Sequence, residues 1–477
     1  MERIIQLLLI TTLLTGCELL EIFGNNNPCE NKLDQNYYGI DNVNKIILYN
    51  DDLVEIVNNC INLGNDSIYI MSATSEIEIG EQYSVSLFGQ NFQLFRTEMP
   101  IIIISTNHNQ ILQDSKICGT MTLLENGKEP YNSYIGIELR GSTSISYPKK
   151  SYSIELWKNS QVINNRSLLG MRIDDDWILD GMWNEPLRIR DFTSHDLWLE
   201  IASKPNNEVD FKMGIKRKYC ELFLNNKYLG LYYIGEKVDE KQLKLKEFDK
   251  QIEGELYKGY AWANGTVYSG LDDFDNNSPT WSGYEVKYPK NARQLDWTNL
   301  HEHVDFIVNS TQSQFNKEIS SRINIENAID YYIFLNLIYA TDNRGKNIYT
   351  AKLDKESSYF FIPWDMDGSF GNNWNGERIN ITNRLLSNGL YEKLLEFPDF
   401  TNKTKEKWFD LRNDVLNIRY LEEKFKNNYE FLMRNGICIR EEMVPNISQN
   451  YDTTEIDFIE SWIERRIVFL DSYFNNF

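Results

Sequence analysis

An α+β fold is predicted, with a β-rich first half, a helix-rich second half and a cleft between them. Three observations lead there. From residue 45 onward, short runs such as DSIYIMSA, YSVSLFG and FQLFRTE alternate apolar with polar residues and are cut by Gly, Asn and Asp, the pattern of strands and turns. From Ile325 the segment IENAIDYYIFLNLIYA is apolar nearly all round, which marks a helix enclosed by a larger domain. Beyond Ile379, YEKLLEFPDF, YLEEKFKNNYEFLM and EIDFIESWIERRIVFLDSYF carry the spacing of amphipathic helices.

The chain of 477 residues, 42% apolar and 13% aromatic, can build one large or two to three ordinary domains. Lys and Arg number 49 against 70 Asp and Glu, a net charge of −21. That excess repels nucleic-acid phosphate unless a basic patch overrides it. The nearest approach to one, KRKYC at 216–220, is three basic residues entering a strand, so no nucleic-acid partner is expected.

The first residues, MERIIQLLLITTLLTGCELL, hold one basic residue and an apolar run shorter than the ~18 residues a membrane helix needs. Leu14-Thr15-Gly16-Cys17 matches the bacterial lipobox pattern, so residues 1–17 read as an export signal with cleavage before Cys17 and lipidation of that residue. More than one acyl chain would then hold the protein on a membrane surface without spanning it. The expected location is the bacterial cell envelope, lipid-anchored on the extracytoplasmic side. Residues 18–44 are polar and Asn-rich, a flexible tether; 45–99 form a small β accessory region and 100–477 the main domain. The remaining cysteines, Cys29, Cys60, Cys118, Cys220 and Cys438, are widely spaced and allow one disulfide but no metal cluster.

Within the main domain, PIIIISTN, SKICGTMTLLENG and YIGIELRGSTSISYPKKSYSIELW continue the strands. A helix is expected over 188–203. YCELFLNNKYLGLYYIGEKVD reads as two strands turning at Asn225-Asn226. Residues 259–282, rich in Gly, Ser, Asn and Trp, read as a surface loop before GYEVKYPK.

The chemistry concentrates around IPWDMDGSFG at 362–371. NIYTAKL and SYFFIPW flank a polar tip at 354–358 and predict a hairpin. Its two ends lie together, which brings Asp342 and Asn347 beside Asp365 and Asp367. In extended chain Asp365 and Asp367 share a face while Met366 packs the other way. Two carboxylates and an amide oxygen are hard ligands suited to Mg2+ or Mn2+ on phosphates. Protein kinases carry Asp-x-x-x-x-Asn, a hairpin and then a metal-binding Asp before a Gly, and Asp342, Asn347 and Asp365 follow that order. In RGSTS, Arg140 and Ser142 flank a small-residue turn whose backbone N–H groups can face phosphate. Lys150 shares a strand face with Tyr152 and Ile154, where a lysine needs a functional partner more than Lys149 does on the other side. Glu236 stands where the backbone between two lobes would meet an adenine edge.

IELRGSTSISYPKKSYSIEL, ELFLNNKYLGLYYIGEKVD, GYEVKYPK and NLIYATDNRGKNIYT with FFIPWDMDGSFG together resemble the CotH family of spore-coat-protein-H-like atypical kinases, from about residue 100 to the end. The resemblance implies a divergent two-lobed protein-kinase-like fold and use of ATP with Mg2+ or Mn2+. It makes Asp342 the catalytic aspartate, has Asn347 and Asp365 hold metal with Asp367 adjacent, and puts Lys150 on the nucleotide phosphates, beside the nucleotide contacts Arg140, Ser142 and Glu236 read from the residues above. Ala340-Thr341 stand where kinases have His-Arg, no G-x-G-x-x-G occurs, and Asp191, Asp196 and Glu200 all stay open as the acid pairing with Lys150. The activity implied is γ-phosphoryl transfer to protein Ser/Thr hydroxyls. Its alternatives are nucleotidyl transfer to protein and a non-catalytic surface scaffold. The pair His301 and His303, two apart on a helix, point away from each other and are not read as metal ligands.

Overall fold

The computed structural model of the chain describes residues 33, 36–159, 161–205, 211–249, 251–291, 294–445, 447, 451 and 454–477. Cys17, the export signal and most of the tether lie outside them.

Strands β1 (Gly39–Asp41), β2 (Ile46–Tyr49), β3 (Cys60–Leu63), β4 (Asp66–Ile70), β5 (Tyr83–Leu87) and β6 (Gln90–Arg96) form one sheet in the order β1-β2-β6-β5-β4-β3. Its first strand corrects the tether boundary at 44, because Ile40 pairs with Ile47. Asp41 fixes that start: its carboxylate accepts hydrogen bonds from Val43 N and Asn44 N, both 2.8 Å, and from Tyr228 N at 3.0 Å. One face buries Ile68, Ile70, Val85 and Leu87 with Phe92 and Leu94. Ile46, Leu48 and Phe95 pack instead against Phe223, Tyr228 and Val444, so the accessory sheet is seated on the main domain by apolar burial.

Strands β7 (Ile101–Ser105), β8 (Ile117–Leu124), β9 (Tyr131–Arg140), β10 (Ser151–Asn159), β11 (Val162–Ile163), β12 (Arg166–Ser167), β13 (Ile173–Asp174), β14 (Asp176–Asp180), β15 (Arg217–Leu224) and β16 (Lys227–Gly235) follow. All but the small β12–β13 ribbon join one sheet, β11-β10-β14-β16-β15-β7-β8-β9, and β9 pairs again with β10 from Ser151↔Arg140 to Trp157↔Tyr134. That second pairing closes the sheet into a barrel and removes its edges. The interior is apolar, with Ile102, Met121, Ile135, Ile154, Trp177 and Leu222 buried in one cluster. The predicted hairpin β15–β16 turns at Asn225 and Asn226, both with positive φ (51° and 59°), the conformation a two-residue turn requires and Asn tolerates. Cys118 is disulfide-bonded, while Cys60, Cys220 and Cys438 are free.

A second sheet, β18-β19-β17-β20-β21, contains β17 (Glu255–Gly259), β18 (Thr280–Trp281), β19 (Tyr284–Tyr288), β20 (Ile348–Lys352) and β21 (Phe360–Pro363). Around it lie α1 (Arg190–Ile201), α2 (Asn264–Val267), α3 (Thr298–Asn309), α4 (Gln312–Arg322), α5 (Ile325–Ile338), α6 (Gly389–Leu395), α7 (Pro398–Arg412), α8 (Ile418–Arg434), α9 (Ile437–Glu442) and α10 (Thr454–Asn475). Helix α5 is the enclosed helix the sequence predicts: every residue from Asn327 to Ile338 is buried. Asn324 caps its N-terminus by accepting from Asn327 N at 3.0 Å, which satisfies an otherwise orphaned donor. The architecture is α+β, with a β-barrel facing a sheet wrapped in helices.

Candidate functional site

A cavity of about 650 Å3 is lined by both the barrel and the second sheet, a size that suits a nucleotide-scale ligand. The hairpin β20–β21 forms its floor. Ile348 pairs with Pro363, and Trp364 N donates to Asn347 O at 2.9 Å, so the residues just outside both strands meet as expected. The backbone there is not extended. Asn347 and Asp365 both have φ of 56°, a left-handed conformation that Asn and Asp enter more readily than other side chains. This turn, in place of the predicted strand continuation, brings Asp365 and Asp367 to the same cavity while Met366 is fully buried.

Asp342 opens a 3-10 turn after α5 and also lines the cavity, with Lys346 Nζ 3.4 Å from its Oδ2. Asn343, which the sequence reading passed over, ties the arrangement together. Its buried amide donates to Asn347 O at 2.9 Å and to Trp364 O at 2.8 Å, fastening the entry and exit of the hairpin with two bonds. Asp342, Asn347, Asp365 and Asp367 thus face one space.

Of the other acids that line it, two act on Asp365: Asp180 at the end of β14 and Asp191 in the first turn of α1. Asp191 accepts from Met366 N at 2.8 Å and pairs with the buried guanidinium of Arg217. Burial pushes the Asp191 carboxyl up, but Arg217, His195 and the Met366 N–H together outweigh it and leave the group below its ordinary value. Asp365 is open to the cavity yet set deep in the protein. Loss of bulk water, then the charges of Asp191 and Asp180, push it up to about 6 against the pull of Lys258 and Arg140. Asp367 rises well above its ordinary value from the same depth and from Asp365. Adjacent carboxyls that resist ionising together are stabilised when a cation is placed between them. The donor set fits Mg2+ or Mn2+, which take few carboxylates and complete their shell with water and phosphate.

Elsewhere among the described residues, Glu155, Asp175 and Asp176 bring three carboxylate oxygens within 4.8 Å of one another. Lys116 (2.8 Å from Glu155), Lys241 (2.6 Å from Asp175) and Lys237 (2.9 Å from Asp176) already neutralise them, so that cluster is an ion-pair network.

Arg140 and Ser142 line the cavity as predicted; Arg140 lies 3.3 Å from Asp180 and 5.7 Å over the ring of Trp364. Lys150 and Glu236 are corrections. The face of β10 that carries Tyr152 and Ile154 points into the barrel core, whereas Ser151 and Ser153 line the cavity. Alternation therefore brings Lys149 to the cavity, buried, while Lys150 donates to the Ile145 carbonyl outside it. The apolar face of the strand is the barrel interior and its Ser151–Ser153 face is the wall of the cleft.

The partner of Lys149 is Glu441 of α9, at 3.0 Å, shared with Arg188. No local signal connects residues so far apart in the chain. Of the acids left open at the sequence level, Asp191 faces the cavity, Glu200 pairs with Lys424 at 2.7 Å, and Asp196 lies outside the cavity lining. Glu236 is fully buried: its carboxylate accepts from Arg172 N at 2.8 Å and Lys216 N at 2.9 Å, and its own N–H donates to Lys216 O at 3.0 Å. The wall beside it consists of Lys237, Val238, Asp239 and Glu240. Lys258 of β17 is a further cavity residue that sequence reasoning missed.

Residues 137–470 match the family described as CotH kinase protein, a span that contains Arg140, Lys149, Asp342, Asn347, Asp365 and Asp367. The chain belongs to the CotH family. The inner spore coat protein H of Bacillus subtilis (strain 168) is 23% identical over 345 residues, covering 71% of this chain and 87% of that protein. The crystal structure of a Helicobacter pylori proinflammatory kinase, CtkA, aligns with 68% of this chain and 94% of its own at 8% identity and a TM-score of 0.26, too distant to bear on this fold. The CotH match begins inside β9, so β7, β8 and the accessory sheet precede it, although β7 and β8 are needed to close the barrel.

Proposed function

We propose that this CotH-family chain is an atypical protein kinase that transfers the γ-phosphoryl group of ATP to Ser/Thr hydroxyls of a protein substrate. The observation that carries the reading is the meeting of Asp342, Asn347, Asp365 and Asp367 in one cavity, in the order kinases use around a hairpin. The barrel and the helical body take the places of the two lobes.

Asp365, Asp367 and Asn347 would hold a divalent ion, which offsets charge on the transferring phosphoryl group when bound. Arg140 and the turn around Ser142 offer donors to the phosphates. Asp342 is partly exposed, with 23% of its side chain accessible, so an acceptor hydroxyl can reach it. Its carboxylate orients that hydroxyl and takes its proton, help worth ~10²–10⁴ in rate. Trp364, buried beneath Arg140, shields the floor from water. A lipid anchor on Cys17, read from its lipobox, would put the reaction on the extracytoplasmic face of a bacterial envelope.

The test is incubation of the mature chain with γ-labelled ATP, Mg2+ or Mn2+ and candidate acceptor proteins, beside Asp365→Ala. Label transfer lost in the variant supports the reading. Equal labelling by both proteins overturns it, as does no labelling under any condition, which leaves the scaffold. Transfer of an α-label instead points to nucleotidyl transfer.

A further inference from the structure

Seven cationic side chains line the cavity, and six have a carboxylate within ion-pair distance. Arg140 meets Asp180, Lys149 meets Glu441, Lys237 meets Asp176, Lys287 meets Glu285, Lys290 meets Glu240 and Lys346 meets Asp342. Lys258 is the seventh. Among the described residues no carboxylate lies within 4.0 Å of its ammonium, and its neighbours are the rings of Trp364 at 5.8 Å and Tyr349 at 5.9 Å.

Its position is set by register. Lys258 pairs across the sheet with Tyr349 of β20 on one side and with Glu285 of β19 on the other, close to the hairpin entry at Asn347. The next residue along, Gly259, accepts from Asn347 N at 2.8 Å through its carbonyl, which locks the strand to the hairpin. Asp365 and Glu285 act on it only from beyond ion-pair distance, and a lysine in a partly enclosed site whose three donors meet no close acceptor among the described residues is costly unless a ligand supplies one. Ring faces stabilise its charge only modestly. A partner at hydrogen-bond distance must come from what the cavity binds.

We propose that Lys258 is the phosphate-binding lysine of this site, donating to a terminal phosphate oxygen of the nucleotide held at Asp365. This rests on the kinase reading and deepens it: the role first assigned to Lys150 passes to a strand of the second sheet, on the same side of the cavity as the metal group. Lys149, committed to Glu441 together with Arg188, serves to position β10 against α9.

The decisive measurement is calorimetric binding of ATP with Mn2+, and of adenosine alone, to the full chain and to Lys258→Met and Lys258→Arg. Lys258→Met should weaken ATP by about ten- to a hundredfold, the worth of a hydrogen bond to a charged group, and leave adenosine unchanged. Lys258→Arg should recover most of the loss. Equal ATP affinity in Lys258→Met overturns the assignment while leaving the kinase reading intact. Absence of ATP binding to the unaltered chain overturns both.

A second readout needs no variant. Acetylation of Lys258 by an amine-reactive ester, followed by mass spectrometry, should be slowed by ATP with Mn2+ and not by adenosine. Equal acetylation rates with and without ATP would likewise reject the contact.

Discussion

Asp191 accepts a hydrogen bond of 2.8 Å from the backbone N–H of Met366, the residue between the two cavity acids. A single side chain from α1 thereby sets the turn that presents both Asp365 and Asp367. Its other oxygen is held by Arg217, whose side chain is fully buried. The loop of the second sheet is thus fastened to the helix that leaves the barrel.

Asp191→Ala should therefore be among the more damaging single changes in the molecule. It strands Arg217 without a counter-charge, and breaking a buried pair from one side costs about 3–5 kcal/mol. Asp191→Asn keeps an acceptor for Met366 and should cost less. Urea unfolding of the two variants checks the order; equal midpoints would show that the pair does not fix the turn.

The acids at 365 and 367 predict a pH dependence. Both are held above the ordinary aspartate value, Asp365 at about 6, so folding favours their protonated forms. The associated stability is fully present below the unfolded value near 3.8 and is lost as pH rises through about 6 and beyond. Asp365→Asn should flatten that decline in metal-free protein. Mn2+ should raise the melting midpoint more at pH 7.5 than at pH 5, because its ligands must be deprotonated; an equal rise at both would place the metal elsewhere.

Asp342→Asn should lower kcat by ~10²–10⁴, the range for loss of a general base, while leaving the affinity for ATP with Mn2+ within about twofold. Competition binding and single-turnover transfer separate the two quantities. A parallel fall in affinity would instead make Asp342 part of the nucleotide site.

Lys149 and Lys150 should separate cleanly. Glu441→Ala leaves Lys149 and Arg188 together without their acid and should cost about 3–5 kcal/mol. Lys149→Met still leaves Arg188 on Glu441 and should cost less, whereas Lys150→Met should change stability by no more than ~0.5 kcal/mol. Thermal and urea unfolding give the ranking, and a large loss in Lys150→Met would contradict the observed burial.

Much of this molecule is legible along the chain because the signals are local. The enclosed helix α5 shows in its all-round apolarity, β15–β16 in its Asn225-Asn226 turn, and the hairpin β20–β21 in two β-rich runs about a polar tip. The hairpin alone brings Asp342 and Asn347 to Asp365 and Asp367, since its two ends must meet. Local pattern fails where one face of a strand must be assigned to one of two environments. Tyr152 and Ile154 mark β10 as half apolar, but alternation does not say whether that face meets a cleft or the inside of a barrel.

By itself the sequence determined the α+β order, the resemblance to CotH, the metal-suited acids and their approach across the hairpin. These depend on contacts between residues near in the chain or on a turn that forces its ends together. Only the tertiary structure decided that the first half closes into a barrel, that Lys149 and not Lys150 enters the cavity, that Glu441 is its partner, and that Lys258 stands there with no carboxylate of the described residues at ion-pair distance. Those outcomes depend on which distant segments come to share a low-dielectric space, where charges must pair or await a ligand, and separation along the chain carries no record of that choice.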